Sequence, residues 1–252
     1  METLKKTFAA AKENLSFLLV CLLVFAGVFL IAFLFERLLV KNRKRISDTH
    51  YITYTALFSC MAAVLMLLEI PLFFAPGFYK LDLSELPVMI CAFYLGPVAG
   101  VVCEFLKVLL KLLLKGTTTA FVGDFANFAV GCTFVLPASI IYHVKPSRKS
   151  ALIGLIVGTL TMTVFGSAFN ALYLIPKFAK LFHMELDTIV AMGTAVNGRI
   201  TSVTTLVLYA VVPFNLVKGV LVSLLTFLLY KRVSPLMHLG DERRSARRRA
   251  KN

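Results

Sequence analysis

Long apolar runs with few charged residues restrict the folds that this chain can adopt. The first such run covers residues 15–40, and others of similar length follow as far as residue 230. A helix of about 20 apolar residues crosses the ~30 Å hydrocarbon core of a bilayer. Of the 252 residues, 59% are hydrophobic and only 16% are charged, too few to cover a soluble domain of this length. We therefore predict an all-α polytopic membrane protein.

The runs predict one additional N-terminal transmembrane helix over residues 15–40 and then six spans. The six spans cover residues 51–72, 83–95, 98–115, 121–143, 151–175 and 204–230. After the first of them, "FFAPGFYKLDLSELP" contains proline, glycine and three charges, and we expect it to dip into the protein. The dipeptide Gly96-Pro97 predicts a tight reversal. We divide the chain into the additional helix with its basic linker (1–50), a six-helix bundle (51–232) and a basic tail (233–252).

The basic residues predict the orientation of the chain in a cell membrane. The net charge is +14, and most of it flanks the apolar runs. With "KNRKR" and the preceding Arg37, "HVKPSRKS" and the C-terminal tail in the cytoplasm, that side carries 16 of the 27 Lys and Arg residues, and the other side carries 8. The C-terminus is then cytoplasmic and the N-terminus outside. The tail has no interleaved aromatic residues, so we interpret it as an anchor to anionic membrane lipid and not as a nucleic-acid site.

Polar residues inside the last span suggest a ligand. Asn215 and Lys218 lie three residues apart, on one helix face, just after Pro213, which should bend or open the helix. A charge within a spanning helix costs roughly 2.5–3.5 kcal/mol and usually faces the protein interior. If both residues bind a ligand, their replacement should weaken binding with little effect on folding. Alternatively, Lys218 snorkels or pairs with a carboxylate such as Glu104.

The stretch "GDFANFAVG" repeats this pattern after the hydroxyl-rich "KGTTTAFVG". It begins at Gly123 and places Asp124 and Asn127 three residues apart between phenylalanines. An Asn side chain offers a donor and an acceptor, which suits a planar heterocycle with imide edges. An interhelical hydrogen bond is the alternative for Asn127, and it is the leading interpretation for Asn170.

Charges also line the third span, where Glu104 and Lys107 are followed by Lys111 and Lys115. For Lys111 and Lys115 we favour a stripe that faces partner helices and snorkels outward at its end. A basic lining beside a binding cavity is the alternative. For Lys107 the sequence favours neither interpretation.

Small residues form a stripe on the first of the six spans: Ala56, Ser59, Cys60 and Ala63. Their spacing places them on one helix face. Internal packing is the default interpretation of such a stripe, and a docking face for another membrane protein is the alternative. The glycine pairs Gly96/Gly100 and Gly154/Gly158 predict close helix packing within the bundle. The long connection over residues 176–203 is a candidate gate.

Four stretches together resemble the riboflavin-specific substrate-binding (S) components of energy-coupling factor (ECF) transporters. They are "FYKLDLSELPVMICAFYLGPVAGVVCEFLK", "GDFANFAVGCTFVLPASIIY", "GLIVGTLTMTVFGSAFNALYLIP" and "VVPFNLVKGVLVSLLTFLLYKR". The resemblance covers residues 51–232 and implies a six-helix S-component bundle that binds riboflavin as a transported ligand, without a cofactor. It also implies separate partners, namely a transmembrane coupling subunit and two cytoplasmic ATPases. The additional N-terminal helix departs from this pattern.

The resemblance implies roles for individual residues. Asn127, Asn215 and Lys218 match positions that hydrogen-bond the flavin, and we extend the substrate site to the neighbouring candidates Lys80, Leu81, Gly123 and Asn170. The small-residue stripe resembles the docking face for the coupling subunit, although Cys60 stands where Ala is more usual.

Three alternatives to riboflavin uptake stay open. The chain could be an S component for a different vitamin, an ion-coupled carrier, or a membrane enzyme that acts on lipid head groups. Ion-coupled carriers often contain two related halves, and this sequence shows no internal repeat. The sequence also contains no Ser/His/Asp set, no paired carboxylates at plausible spacing on one face, and no metal-ligand cluster. We therefore predict a protein that is not an enzyme and has no metal site.

Overall fold

The computed structural model describes residues 15–39 and 48–229, which form eight helices and one short hairpin. The basic linker and the C-terminal tail lie outside the described residues, so the predicted domain boundaries stay predictions. The helices are α1 (Leu15–Leu39), α2 (Asp48–Leu67), α3 (Glu85–Leu95), α4 (Pro97–Lys115), α5 (Val122–Val144), α6 (Arg148–Leu181), α7 (Leu186–Thr194) and α8 (Val203–Leu229).

Seven of these helices coincide with the predicted spans. Within the described parts of the chain, α1, α2, α5, α6 and α8 are long and apolar enough to cross a membrane. The other two are α3, which has only 11 residues, and α4, which has 19 residues and carries charges. The predicted end of the first of the six spans was wrong. Helix α2 stops at Leu67, and the chain then forms an antiparallel hairpin of β1 (Ile70–Pro71) and β2 (Lys80–Leu81).

Helices α6 and α8 each contain one wide π turn near the same end of the bundle. The turns are Asn170–Leu174 in α6 and Val207–Val211 in α8, and each lies just before a proline, Pro176 or Pro213. Proline lacks a backbone N–H, so it cannot continue the regular hydrogen-bond ladder of the helix. The predicted opening of the last span therefore occurs in the turn before Pro213. Residues 176–203, the predicted connection, are largely helical: they contain the end of α6 and also α7, which the sequence did not predict.

The core of the bundle surrounds α3, whose residues are nearly all buried. Glycines allow the neighbouring helices to approach closely, as predicted. A Cβ atom on Gly154 would lie 2.6 Å from the carbonyl oxygen of Ala138, and one on Gly158 would lie 2.5 Å from that of Phe134. Side chains at these positions would separate α6 from α5. Gly96 adopts a φ of 116°, which favours glycine, and makes the tight reversal between α3 and α4.

Candidate ligand-binding site

A cavity of about 770 Å³ lies at one end of the bundle, beside the hairpin. Its volume is typical of small-molecule sites, which range over roughly 300–1,000 Å³. One wall is apolar and comes from α2, the hairpin loop, the end of α6 and α7: Met66, Phe78, Ile175, Phe178, Phe182, Met184, Ile189 and Met192. The other wall is polar and comes from the hairpin loop, α4, the α4–α5 loop and α5: Glu69, Lys80, Asp82, Lys111, Lys115, Thr118, Thr119, Asp124 and Asn127.

Two lysines at the cavity share one carboxylate. Glu69 Oε2 lies 2.8 Å from Lys80 Nζ, and Glu69 Oε1 lies 2.9 Å from Lys115 Nζ. Burial raises the pKa of Glu69, but the hydrogen bonds from Lys80 and Lys115 outweigh it and hold that pKa below its ordinary value. Glu69 therefore stays ionised and links α2 and the hairpin to the end of α4.

A second pair joins α4 to the beginning of α5. Lys111 Nζ lies 2.6 Å from Asp124 Oδ1 and also donates to the carbonyl oxygen of Gly116, at 3.2 Å. Thr117 Oγ1 donates to Asp124 Oδ2, at 2.9 Å. Lys111 and Lys115 both line the cavity, which favours the alternative of a basic lining, although Lys111 also faces the neighbouring helix α5 through Asp124, as the stripe predicted. Asp124, which the sequence paired with Asn127, instead holds this corner of the wall together.

Asn127 is the predicted residue that combines a place in the cavity lining with an unused hydrogen-bond acceptor. It lines the cavity from α5, and its Oδ1 atom is buried without a hydrogen-bond partner among the described residues. A buried carbonyl oxygen left unpaired typically costs about 1–3 kcal/mol. A ligand whose N–H group donates to this oxygen would remove that cost.

Directly beneath the cavity lies a buried chain of five charged residues from four segments. Lys218 Nζ of α8 lies 3.0 Å from both Asp82 Oδ2 and Glu85 Oε2. Lys107 Nζ of α4 lies 3.3 Å from Glu85 Oε1 and 2.6 Å from Glu104 Oε1. All five side chains are buried, and Lys107 is 0% exposed. Buried ions require such partners, since each is costly without one.

This network identifies the partners of the two spanning lysines. Lys218 does satisfy carboxylates, but they are Asp82 and Glu85, while Glu104 pairs with Lys107. The cavity reaches the network only through Asp82, which lines its wall. Lys218 thus contributes to the site through the carboxylate that it fixes, and a direct contact with a ligand stays a prediction.

Two other predicted asparagines lie away from the cavity wall. Asn170 is buried on the π turn of α6, accepts from Tyr79 Oη at 2.8 Å and donates to the carbonyl oxygen of Gly166 at 2.7 Å. Asn170 thus links α6 to the hairpin loop. This resembles the interhelical hydrogen bond that was its leading interpretation, although the partner lies in a loop. Asn215 is buried against Gly166, where a Cβ atom would lie 3.0 Å from its Nδ2 atom. That Nδ2 atom has no partner within the described chain.

The structure therefore brings together only part of the predicted substrate set. Lys80, Gly123 and Asn127 line the cavity. The other four members, Leu81, Asn170, Asn215 and Lys218, are buried and are not part of its lining. For Leu81 the reason is the strand alternation, because β2 exposes Lys80 and turns Leu81 into the core.

The sequence interpretation missed Asp82 and Glu85 as members of the site. Both were noted only as charges of a loop that should dip into the protein, and both are buried there. The signal was available, because two lysines inside spanning helices need counter-charges, and Glu104 can neutralise only one of them.

The small-residue stripe on α2 does not form one face. Ser59 and Ala63 are buried inside the bundle, whereas Ala56 and Cys60 are exposed. The prediction of a four-residue docking face was therefore wrong for Ser59 and Ala63. The outward face of α2 keeps Ala56 and Cys60, one helical turn apart, with Thr53 and Val64 before and after them.

A membrane-embedded bundle with a ligand-sized cavity at one end defines a small-molecule-binding membrane protein. The sequence model of the family described as "ECF transporter, substrate-specific component" matches residues 50–230. The chain belongs to this family, as its resemblance predicted.

The names of similar proteins agree with this assignment. Riboflavin transporter RibU of Staphylococcus aureus (strain TCH60) is 32% identical over 179 residues, which cover 71% of this chain and 87% of the relative. Riboflavin transporter FmnP of Bacillus subtilis (strain 168) is 30% identical over 192 residues, covering 76% and 94%. A solved structure of the S component of a bacterial ECF transporter has a TM-score of 0.59 and 31% identity, covering 76% of this chain and 99% of its own.

Proposed function

We propose that this chain is the membrane-embedded subunit that captures riboflavin for an ECF transporter. The observation that carries the proposal is the cavity, whose lining combines apolar side chains with Asn127, a residue with an unpaired carbonyl oxygen. The isoalloxazine ring of riboflavin is flat and largely apolar, and its outer edge carries an imide N–H between two carbonyl groups. The names of the relatives from S. aureus and B. subtilis support the same ligand.

The polar wall suits the rest of such a ligand. The cavity lining includes the hydroxyl-bearing residues Thr118 and Thr119 and the lysines Lys80 and Lys115. A ribityl chain carries several hydroxyl groups that need donors and acceptors of this kind. A different vitamin is the alternative, and its chemistry would have to match the same amide oxygen.

The partners follow from the family. S components act with an ECF module, and we propose that this chain works with a transmembrane coupling subunit and two cytoplasmic ATPases. The outward face of α2 supports docking of the coupling subunit, because the small side chains of Ala56 and Cys60 let another helix approach closely in lipid. We further propose that the cavity opens outside and that the C-terminus is cytoplasmic, in keeping with the charge count.

Purified protein should quench riboflavin fluorescence saturably, without ATP or metal, and Asn127→Leu should weaken that binding. The expected loss is about 1–3 kcal/mol, since the imide N–H would lose its acceptor. A titration of both proteins in detergent measures the effect, with the melting temperature as a control for folding. No quenching by the parent at micromolar protein would contradict the riboflavin assignment. Equal affinity of the two proteins would contradict only the role of Asn127.

The segment at residues 176–203 should close over the bound ligand. Phe178, Phe182, Ile189 and Met192 of this segment form much of the apolar wall, and they are joined by a turn in which His183 has a φ of 51°. Contacts with the ligand should stabilise the segment, so limited proteolysis here should slow when riboflavin is added. Cleavage of the exposed loop before α6, around Lys145, serves as the internal control. Equal cleavage rates with and without riboflavin would contradict the lid.

A further inference from the structure

Helix α1 contacts the bundle along one continuous face. Phe17, Phe25, Ala32 and Glu36 lie on this face and are buried or half-buried, whereas most other residues of α1 are exposed. The helix packs against α4 and α5. The family match begins at residue 50, so α1 lies outside the matched region. The packing calls for an explanation that the family does not supply.

One end of α1 is fixed by a buried carboxylate. Glu36 Oε2 accepts a hydrogen bond from the backbone N–H of Val98, at 3.0 Å, in the first turn of α4. Gly96 makes room for this contact, since a Cβ atom there would lie 2.9 Å from the same oxygen. A negative charge is favourable at a helix N-terminus. A buried carboxylate in a spanning helix is costly when it lacks such a partner. The contact therefore sets the position of α1 along the bundle.

The rest of this face presents aromatic rings to α4 and α5. The ring of Phe25 stacks on Phe105 with centroids 4.2 Å apart and lies 5.9 Å from Phe128. Nearer the cavity, Phe17 meets Phe125 edge to face, with centroids 5.8 Å apart. Aromatic pairs in these arrangements contribute beyond their buried area. The rings of α1 thus hold the first turns of α5.

Those first turns carry the residue that we place in the ligand site. Phe125 and Phe128 lie on either side of Asn127 in the chain, so their contacts with α1 fix the helix segment from which Asn127 reaches the cavity. The chain before α5 is an irregular loop over residues 116–121, which includes left-handed backbone at Ala120 and Phe121. Within the described chain no helix leads directly into this end of α5, and α1 adds lateral support to that of the Lys111–Asp124 pair.

We infer that α1 is a positioning helix for the ligand cavity. Anchored by Glu36 on α4, it uses Phe17 and Phe25 to hold Asn127 in the orientation that binds the ligand. Phe17 and Phe25 act through α5 and need not touch the ligand themselves. This inference rests on the proposed binding of riboflavin.

The test uses full-length protein with Phe17→Ala, and with Phe17→Tyr as the variant that keeps the ring. Leu23→Ala is the matched control, because Leu23 lies on the same helix and is 72% exposed. Riboflavin affinity and dissociation rate are measured by fluorescence, and the melting temperature is measured in parallel. We expect Phe17→Ala to weaken affinity roughly three- to tenfold, mainly through faster dissociation. Phe17→Tyr and Leu23→Ala should bind like the parent.

Two results would overturn the inference without affecting the proposed function. In the first, the parent binds riboflavin, and the riboflavin affinity of Phe17→Ala equals that of the control Leu23→Ala. The other is a lower melting temperature of Phe17→Ala with unchanged affinity, which would assign α1 a structural role alone. A parent that does not bind riboflavin would instead contradict the proposed function, and this inference with it.

Discussion

Lys218→Met should destabilise the folded protein by about 3–5 kcal/mol, the usual cost of removing one partner from a buried ion pair. Lys218 Nζ contacts both Asp82 and Glu85 at 3.0 Å. Its loss leaves Asp82 without an ion pair among the described residues and leaves Glu85 to Lys107 alone. Methionine fills the space but cannot neutralise either carboxylate. Thermal unfolding of the detergent-solubilised protein measures the effect.

A double variant separates the ion pair from the lysine itself. Asp82→Asn combined with Lys218→Met removes both members of the contact and should recover part of the lost stability. Lys180→Met is the matched control, since Lys180 is exposed, and its effect should stay within about 0.5 kcal/mol. A Lys218→Met variant as stable as Lys180→Met would contradict the structural role of the network.

This prediction reverses an expectation drawn from the sequence. On the ligand interpretation, Lys218→Met should weaken binding with little effect on folding. The structure adds Asp82 and Glu85 as partners, so the same substitution now removes the counter-charge of two buried carboxylates. A loss of riboflavin binding by this variant is therefore informative only when the melting temperature is measured with it.

The fold was largely predictable because hydrophobic length determines it. Seven of the eight helices follow from apolar runs of membrane-spanning length and from turn residues such as Gly96-Pro97. Helix α7 was missed because it is short and lies in a polar connection without a long apolar run. The early end of α2 was missed because the residues after Leu67 are still apolar, although they belong to the hairpin.

The site was less predictable because its partners are distant in the chain. Asp82 and Lys218 are 136 residues apart, and no spacing rule connects a hairpin loop with the last helix. Local spacing identifies polar residues inside spans, as it did for Asn127, Asn215 and Lys218. It cannot say whether an exposed cavity or a buried carboxylate lies opposite them, which depends on the packing of other helices.

The same limit applies to the small residues of α2. Residues at i and i+3 share a face only approximately, since three residues turn a helix by about 300° and four by about 400°. Ala56 and Cys60 lie on one side of the boundary between lipid and core, and Ser59 and Ala63 lie on the other. Four small residues in a stripe therefore divide into an outward pair and an inward pair.

Ala56→Leu should leave riboflavin binding intact and abolish uptake by cells that express the ECF partners. Ala56 is exposed on the outward face of α2, so a larger side chain there disturbs no contact within the bundle. It would, however, hold the coupling subunit away from the surface at which close helix packing provides association energy in lipid. Without docking, ATP hydrolysis cannot be coupled to release of the ligand. Binding by purified protein and uptake by cells are measured on the same variant.

Two variants on the same helix give this experiment its controls. Ala56→Ser keeps the side chain small and should retain both binding and uptake. Ala63→Leu enlarges a residue that is 1% exposed inside the bundle, so it should lower stability by about 1–3 kcal/mol and reduce binding and uptake together. If Ala56→Leu behaves like Ala63→Leu, the outward face of α2 belongs to the fold. If it behaves like Ala56→Ser, the coupling subunit docks elsewhere. Only a substitution on the docking face should leave ligand binding intact while it abolishes uptake.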